Sequence, residues 1–203
     1  MAVETGRDNQ TLFGAVAVLA AVLGIGYFTV GPVAFLYSMA FIGGLGVWLL
    51  TAYRTAIPIE RVLPAYLLTV MLFIGHVCEE YLAHIERALG QIMHIVLTQQ
   101  EFLLVAAFAS PIIWLAGPLL VIRGYRFGYF FICVFLFGMM FGELSHFLFP
   151  FLENGTFHYV AGMYTCLLPI AGGWLTFAKL LRAAKSGSSS APDLGGRHGR
   201  RQF

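Results

Sequence analysis

The chain has 203 residues, of which 59% are hydrophobic and 11% are Asp, Glu, Lys or Arg, and its formal net charge is +2. Soluble domains carry about 25% charged residues, so the composition excludes an ordinary soluble domain and indicates an integral membrane protein. A net charge this small also gives no reason to expect nucleic-acid binding.

Six apolar segments are long enough to cross about 30 Å of hydrocarbon at about 1.5 Å per residue. We therefore predict an all-α, multi-pass membrane helix bundle of about six transmembrane helices over residues 12–182. A polar N-terminal segment, 1–11, precedes it, and a flexible Gly/Ser/Arg-rich tail, 183–203, follows it. The six segments lie near residues 12–30, 33–52, 62–85, 102–122, 127–151 and 157–181, with a Gly31-Pro32 break between the first two.

Basic residues are concentrated in every second connection and at the end of the sixth segment. The positive-inside rule therefore predicts that both termini are cytoplasmic. The basic residues are Arg54, Arg61, Arg123, Arg126, Lys179, Arg182 and Lys185, whereas the remaining connections hold only Arg87.

Two of the apolar segments contain ionisable residues where hydrocarbon is expected. The third holds the run His76-Val77-Cys78-Glu79-Glu80, and the fifth holds Glu143-Leu144-Ser145-His146. An ionisable group costs at least about 2.5–3.5 kcal/mol at the centre of a membrane helix, so such groups usually mark a functional site. Counting residues from the cytoplasmic arginines places both groups at one depth, in the outer leaflet. We therefore predict that they converge in one pocket.

Metal binding is one chemistry that fits this pattern. Glu143-x-x-His146 is the Glu-x-x-His element of di-iron carboxylate bundles, and His76-x-x-Glu79 is the same pair in reverse order. Carboxylate combined with imidazole suits iron, zinc or manganese. The predicted metal ligands are His76, Glu79, Glu80, Glu143, His146 and His158, with Glu101 and His84 as further candidates.

Two alternatives stay open. In the first, no metal is bound, and Glu80, His76 and Glu143 act as acid and base, because neighbouring carboxylates in a dry pocket cannot both ionise cheaply. In the second, the groups are ion pairs that only hold helices together. The function that we predict is an enzyme acting on a lipid-like or isoprenoid-like substrate. A non-enzymatic ion- or proton-coupled carrier or ligand-binding membrane protein is the alternative.

The run from His76 to Glu80 resembles the His-x-x-Glu-Glu motif of the HXXEE-domain membrane proteins. His146 resembles the histidine that ends the second motif of that family, although the Asn that commonly opens that motif is missing here. The segment from His158 to Pro169 resembles the family's last motif, a His followed by Tyr and Pro. This resemblance implies a polar site inside the membrane.

The spacing of His76 and Glu80 is also similar to that in the emopamil-binding group of sterol isomerases, which place a His and, four residues later, a Glu in a membrane helix. That group moves a double bond by protonation and deprotonation. This second resemblance implies isomerase chemistry, without a metal, on a lipid-like substrate.

Overall fold

The computed structural model of the protein describes the backbone of residues 9–30 and 34–189, and the side chains of residues 9–28 and 38–186. The described part is helical and contains no strand, which confirms the all-α class. The Gly31-Pro32 break, most of the polar N-terminal segment and the end of the tail lie outside the described residues. The helices are α1 (Asn9–Val30), α2 (Ala34–Leu50), α3 (Leu63–Leu82), α4 (Ile85–Met93), α5 (Gln99–Ile122), α6 (Gly128–Phe147), α7 (Phe149–Asn154) and α8 (Leu167–Ser189).

Four helices of the described residues are long and apolar enough to cross a membrane: α1, from Asn9 to Phe28, and α3, α5 and α6. A shorter apolar helix, Ser38–Leu50, forms most of α2. These helices indicate a membrane protein, whereas the predicted number of about six crossings is not established by them.

The main hydrophobic core lies between α2, α3, α6 and α8, towards the arginine-rich connections. Trp48, Tyr66, Phe130 and Phe135 are almost completely buried in it. Helices α2 and α6 approach closely, since a Cβ added at Gly44 would lie 2.4 Å from the Cα of Val134. The aromatic packing therefore fixes α6 at one end and leaves its other end to carry the polar residues.

The connections that precede α3 and α6 meet at this same end. The Arg126 guanidinium donates to the carbonyl oxygens of Ala52 and Tyr53, each 3.2 Å away. The Tyr129 hydroxyl donates to the Ile57 carbonyl at 2.6 Å, so the 51–62 and 123–127 connections lie side by side.

The sixth predicted segment differs most from the structure. Helix α8 begins at Leu167, not at 157, and residues 157–166 form a loop with Gly162 at φ +89°. The Thr165 amide donates to the Glu79 carboxylate instead of to a helix carbonyl. Pro169 lies in the first turn of α8, where a helix tolerates proline. Helix α8 continues to Ser189, into the expected tail. Helix α4 lies where the sequence predicts an outer connection between the third and fourth segments.

Candidate functional site

Two helices of different winding direct four polar side chains to one point. In α3, His76 and Glu80 are four residues apart, which places them on one face of an α-helix. In α6, the winding loosens to a π-helix over Gly138–Gly142 and then tightens to a 3-10 helix over Glu143–Phe147. Residues three apart eclipse one another in a 3-10 helix, so Glu143 and His146 share one direction.

The four side chains form one contiguous group, which we call the acceptor cluster: His76, Glu80, Glu143 and His146. The two imidazole Nε2 atoms lie 3.2 Å apart. Glu143 Oε2 is 3.0 Å from His76 Nε2 and 3.6 Å from His146 Nε2. Glu80 Oε1 is 3.7 Å from His76 Nε2 and 3.3 Å from His146 Nε2. Both carboxylates therefore contact both imidazoles.

The outer nitrogen of each imidazole is committed as a hydrogen-bond donor. His146 Nδ1 lies 3.1 Å from the Ala161 carbonyl oxygen, which can only accept, so Nδ1 carries the proton. His76 Nδ1 lies 2.9 Å from Thr165 Oγ1. Because the Thr165 hydroxyl donates its single proton to Glu79, its oxygen must accept from His76 Nδ1. In the neutral form, both rings therefore present a bare Nε2 to the cluster.

With both rings neutral and both carboxylates ionised, the acceptor cluster presents four converging acceptor atoms and no donor, and its charge is about −2. Such a group is stable in a buried place only if a cation or protons neutralise it. The side chains of His76 and His146 are 1% and 5% exposed, against 11% for Glu80 and for Glu143, so the carboxylates lie on the more accessible side.

Gly162 allows the 157–166 loop to lie directly on the two rings. A Cβ at this position would lie 2.6 Å from His146 Cε1 and 2.9 Å from His76 Cε1. Its φ of +89° is also a conformation that glycine adopts far more easily than other residues. A side chain here would push the imidazoles apart.

Glu79 points into the loop, away from the acceptor cluster. Its Oε1 accepts from the Tyr159 hydroxyl at 2.5 Å, and its Oε2 accepts from the amide, 3.1 Å away, and the hydroxyl of Thr165. The hydrogen bond to Glu79 raises the pKa of Tyr159 to about 12, so the phenol stays protonated and donates. The predicted ligand Glu79 is therefore bonded to donors on both oxygens.

The remaining predicted candidates also lie in other groups. His158 Nε2 pairs with Glu153 at 2.9 Å, and its Nδ1 donates to the Thr156 carbonyl at 2.9 Å. Glu101 closes a capping box with Thr98 at the start of α5. His84 pairs with Glu86 at 3.1 Å. The structure thus brings together His76, Glu80, Glu143 and His146 of the six predicted ligands.

Three contributors to this arrangement escaped the sequence interpretation: Thr165, Gly162 and the Ala161 carbonyl. They lie in a segment whose apolar composition matches a membrane helix. The available signal was Gly162 itself, a glycine within the sixth apolar segment.

Among the described residues, His76, Glu80 and His146 form a group whose ligand atoms all lie within 4.8 Å of one another and could hold a metal ion. Comparison with known proteins adds nothing to this geometry: no protein-family model, curated protein or solved structure matches the chain. The resemblances to HXXEE-domain proteins and to sterol isomerases therefore stay hypotheses.

Proposed function

We propose that this protein is a membrane-embedded metalloenzyme that acts on a lipid-like or isoprenoid-like substrate. His76, Glu80 and His146 would hold one divalent cation of iron, zinc or manganese. The observation that carries this proposal is the 3.2 Å approach of two Nε2 atoms whose rings bear their protons on the other side. Two nitrogens bound to one metal ion at about 2.0–2.1 Å lie roughly 2.9–3.4 Å apart.

The chemistry of the donor set supports the same proposal. Two imidazoles with one carboxylate form the three-residue set of several catalytic zinc sites, which leave a position open for water or substrate. One divalent charge balances Glu80 and Glu143. A bound cation of this kind would polarise a carbonyl or phosphoryl oxygen, or lower the pKa of a water molecule.

Glu143 is the residue that we assign to proton transfer. Its Oε2 lies 3.0 Å from His76 Nε2 and 3.6 Å from His146 Nε2. It is not part of the possible metal-binding group of His76, Glu80 and His146. A second carboxylate beside a cation can accept a proton from water or from the substrate. His76 and Glu80, expected as catalytic residues, would act in this proposal by holding the cation.

Two features of the site support a hydrophobic substrate. The acceptor cluster lies on α3 and α6, two of the four helices that are apolar enough to span a membrane. The ring of Phe149 packs against His146, with the two ring centres 5.0 Å apart. A substrate that reaches this depth from the bilayer must itself be largely apolar.

The direct test is elemental analysis of the purified full-length protein, before and after reconstitution with Zn²⁺, Fe²⁺ and Mn²⁺. We expect about one bound ion per chain in the wild type, and a loss of binding in His146→Ala and Glu80→Gln that exceeds the roughly 10–100-fold caused by removing an outer hydrogen-bond partner. His158→Ala is the matched control, because it removes a histidine outside the acceptor cluster. A wild type that binds none of the three ions would refute the proposal.

Acid–base isomerisation without a metal is the second candidate. The observation that favours it is the 3.0 Å separation of His76 Nε2 and Glu143 Oε2, a hydrogen-bond distance if the ring is doubly protonated. Two protons shared within the acceptor cluster would neutralise it as one cation does. Chelator-treated protein would then retain turnover in D₂O and introduce deuterium into the product, whereas the metalloenzyme would lose turnover.

We also propose that the chain crosses the membrane six times, with α2 and α8 as the additional crossings and both termini in the cytoplasm. The meeting of the 51–62 and 123–127 connections supports this, as does the bond from Arg61 to Ser186 near the end of α8, at 2.8 Å. Cysteines introduced at Arg54 and Asn154 should be labelled from opposite sides of the membrane. Labelling from the same side would contradict this topology.

A further inference from the structure

The two imidazoles of the acceptor cluster are held by unequal partners. His146 Nδ1 donates to the neutral carbonyl of Ala161. His76 Nδ1 donates to a hydroxyl whose own proton is given to a carboxylate, in the order His76, Thr165, Glu79. The negative charge of Glu79 therefore acts on only one of the two rings, through one bridging hydroxyl.

We propose that Glu79 and Thr165 are positioning residues that hold the His76 ring with its proton on Nδ1, so that its bare Nε2 faces the acceptor cluster. In this arrangement Glu79 orients His76 through Thr165 and does not bind the ion. The expected effect on metal affinity rests on the proposed function, whereas the orientation of the His76 ring does not.

The geometry of the 157–166 loop supports this role. Glu79 is bonded by three donors, the Tyr159 hydroxyl and the amide and hydroxyl of Thr165, so its carboxylate cannot rotate towards the ion without breaking all three bonds. The amide of Thr165 fixes the backbone from which the hydroxyl reaches His76. A carboxylate that orients a metal-binding histidine also raises the basicity of the ring and hence its affinity for the ion.

Thr165→Val and Thr165→Ser separate this role from simple packing. Valine keeps the shape of threonine and lacks the hydroxyl, whereas serine keeps the hydroxyl and lacks the methyl group. Thr176→Val is the matched control, because Thr176 is a buried threonine whose hydroxyl bonds that of Thr69 at 2.9 Å. That bond joins α3 to α8. Thr176→Val removes a hydroxyl group from a buried threonine, as Thr165→Val does, but at a place outside the acceptor cluster.

The first measurement follows the His76 Nδ1–H signal by NMR in metal-free, ¹⁵N-histidine-labelled protein in nanodiscs. We expect a slowly exchanging signal in the wild type, in Thr165→Ser and in Thr176→Val, and its loss in Thr165→Val. This readout needs neither metal nor turnover. A signal that persists in Thr165→Val, or is missing in the wild type, would overturn the inference.

The second measurement is Co²⁺ titration of the same proteins, followed by the ligand-field absorption of the bound ion. We expect Thr165→Val to weaken binding by about 10–100-fold, with Thr165→Ser close to the wild type. Glu79→Gln keeps the size of the side chain and removes its charge, and we expect it to weaken binding by about 10-fold. Wild-type affinity in Thr165→Val or Glu79→Gln would overturn the inference.

The two measurements distinguish the failure of each proposal. If the wild type binds no Co²⁺ but the Nδ1–H signal follows the hydroxyl, the metalloenzyme is refuted and the positioning of His76 stands. If Co²⁺ binds and the signal is independent of Thr165, the metal site stands and the positioning role is refuted.

Discussion

The acceptor cluster and the His158–Glu153 pair are built from the same two residue types and differ in how many groups converge: one imidazole meets one carboxylate in the pair, and two imidazoles meet two carboxylates in the cluster. His158 donates from both ring nitrogens, one to the Thr156 carbonyl and one to Glu153, so its acceptors are satisfied. In the acceptor cluster, the Nδ1 protons point outwards and the Nε2 atoms face two carboxylates and each other. A satisfied pair needs no further ligand, whereas four converging acceptors need a cation or protons.

The two groups also differ in burial. The His158 side chain is 33% exposed, and water can compete for its partners, so the pair contributes little to stability. The His76 side chain is 1% exposed, and an uncompensated charge there would be costly. A His/Glu pattern in a sequence therefore becomes evidence for a binding site only when the directions of the hydrogen bonds are known.

The largest effect that we expect comes from Gly162→Ala. The added methyl group overlaps both rings of the acceptor cluster and occupies a positive φ, and these two costs together are about 2–5 kcal/mol of unfolding free energy. Gly124→Ala is the matched control, because Gly124 has the same φ of +89° and no atom within 4 Å of an added Cβ. It should cost only about 1–2 kcal/mol.

Denaturant unfolding in detergent measures the unfolding free energy of Gly162→Ala and of Gly124→Ala. Metal titration of the folded fraction shows whether the acceptor cluster still binds an ion. Equal destabilisation of Gly162→Ala and Gly124→Ala would mean that the loop does not lie on the imidazoles.

The second-largest effect that we expect is the stabilisation of the protein by a bound metal ion. It should depend on the acceptor cluster and not on the His158–Glu153 pair. A metal ion at 100 times its dissociation constant should stabilise the wild type by about 2.7 kcal/mol. Glu80→Gln should abolish this gain and leave the metal-free protein nearly as stable as the wild type, because it removes one of two facing carboxylates. Glu153→Gln should keep the whole gain. The measurement is the melting temperature with and without Zn²⁺.

A structural ion-pair network would behave in the opposite way. Removal of one partner from such a network strands a buried charge and typically costs about 3–5 kcal/mol. Strong destabilisation of metal-free Glu80→Gln, with no stabilisation of the wild type by Zn²⁺, would therefore indicate that the acceptor cluster only holds α3 to α6.

The helical class and the residues of the acceptor cluster could be predicted from the sequence, for a physical reason. Charge in an apolar segment is costly, and periodicity places His76 with Glu80 and Glu143 with His146, so depth and facing follow from counting residues. The roles of Glu79 and His158 could not be predicted this way. The partners of Glu79, Thr165 and Tyr159, are uncharged, and the partner of His158, Glu153, lies in the short helix α7. No periodic pattern in the sequence indicates these partners.

The 157–166 loop shows where composition misleads. Its residues are apolar enough to extend the sixth segment to 157, and hydropathy does not register that the amide and hydroxyl of Thr165 bond Glu79. The long-range hydrogen bonds to the partly buried Glu79 carboxylate compete with helix formation over these ten residues. The loop therefore depends on a contact between residues 86 positions apart in the chain.

The smallest effect that we expect concerns the His158–Glu153 pair. The hydrogen bond to the Thr156 carbonyl and then that to Glu153 raise the pKa of His158 above its usual range. A raised pKa in the folded state means that the pair stabilises the protein fully below the unfolded pKa of about 6.5, and that this contribution is lost as the pH rises through the folded pKa. Because the pair is exposed, the change in melting temperature should be small and screened by salt. An NMR titration of His158 should show its pKa falling in Glu153→Gln and staying raised in Thr156→Ala, which keeps both acceptors. A pKa that does not respond to Glu153→Gln would mean that the two side chains are not paired. His158 and Glu153 would then no longer be an example of a His/Glu pair with satisfied hydrogen bonds, and the comparison with the acceptor cluster would fail.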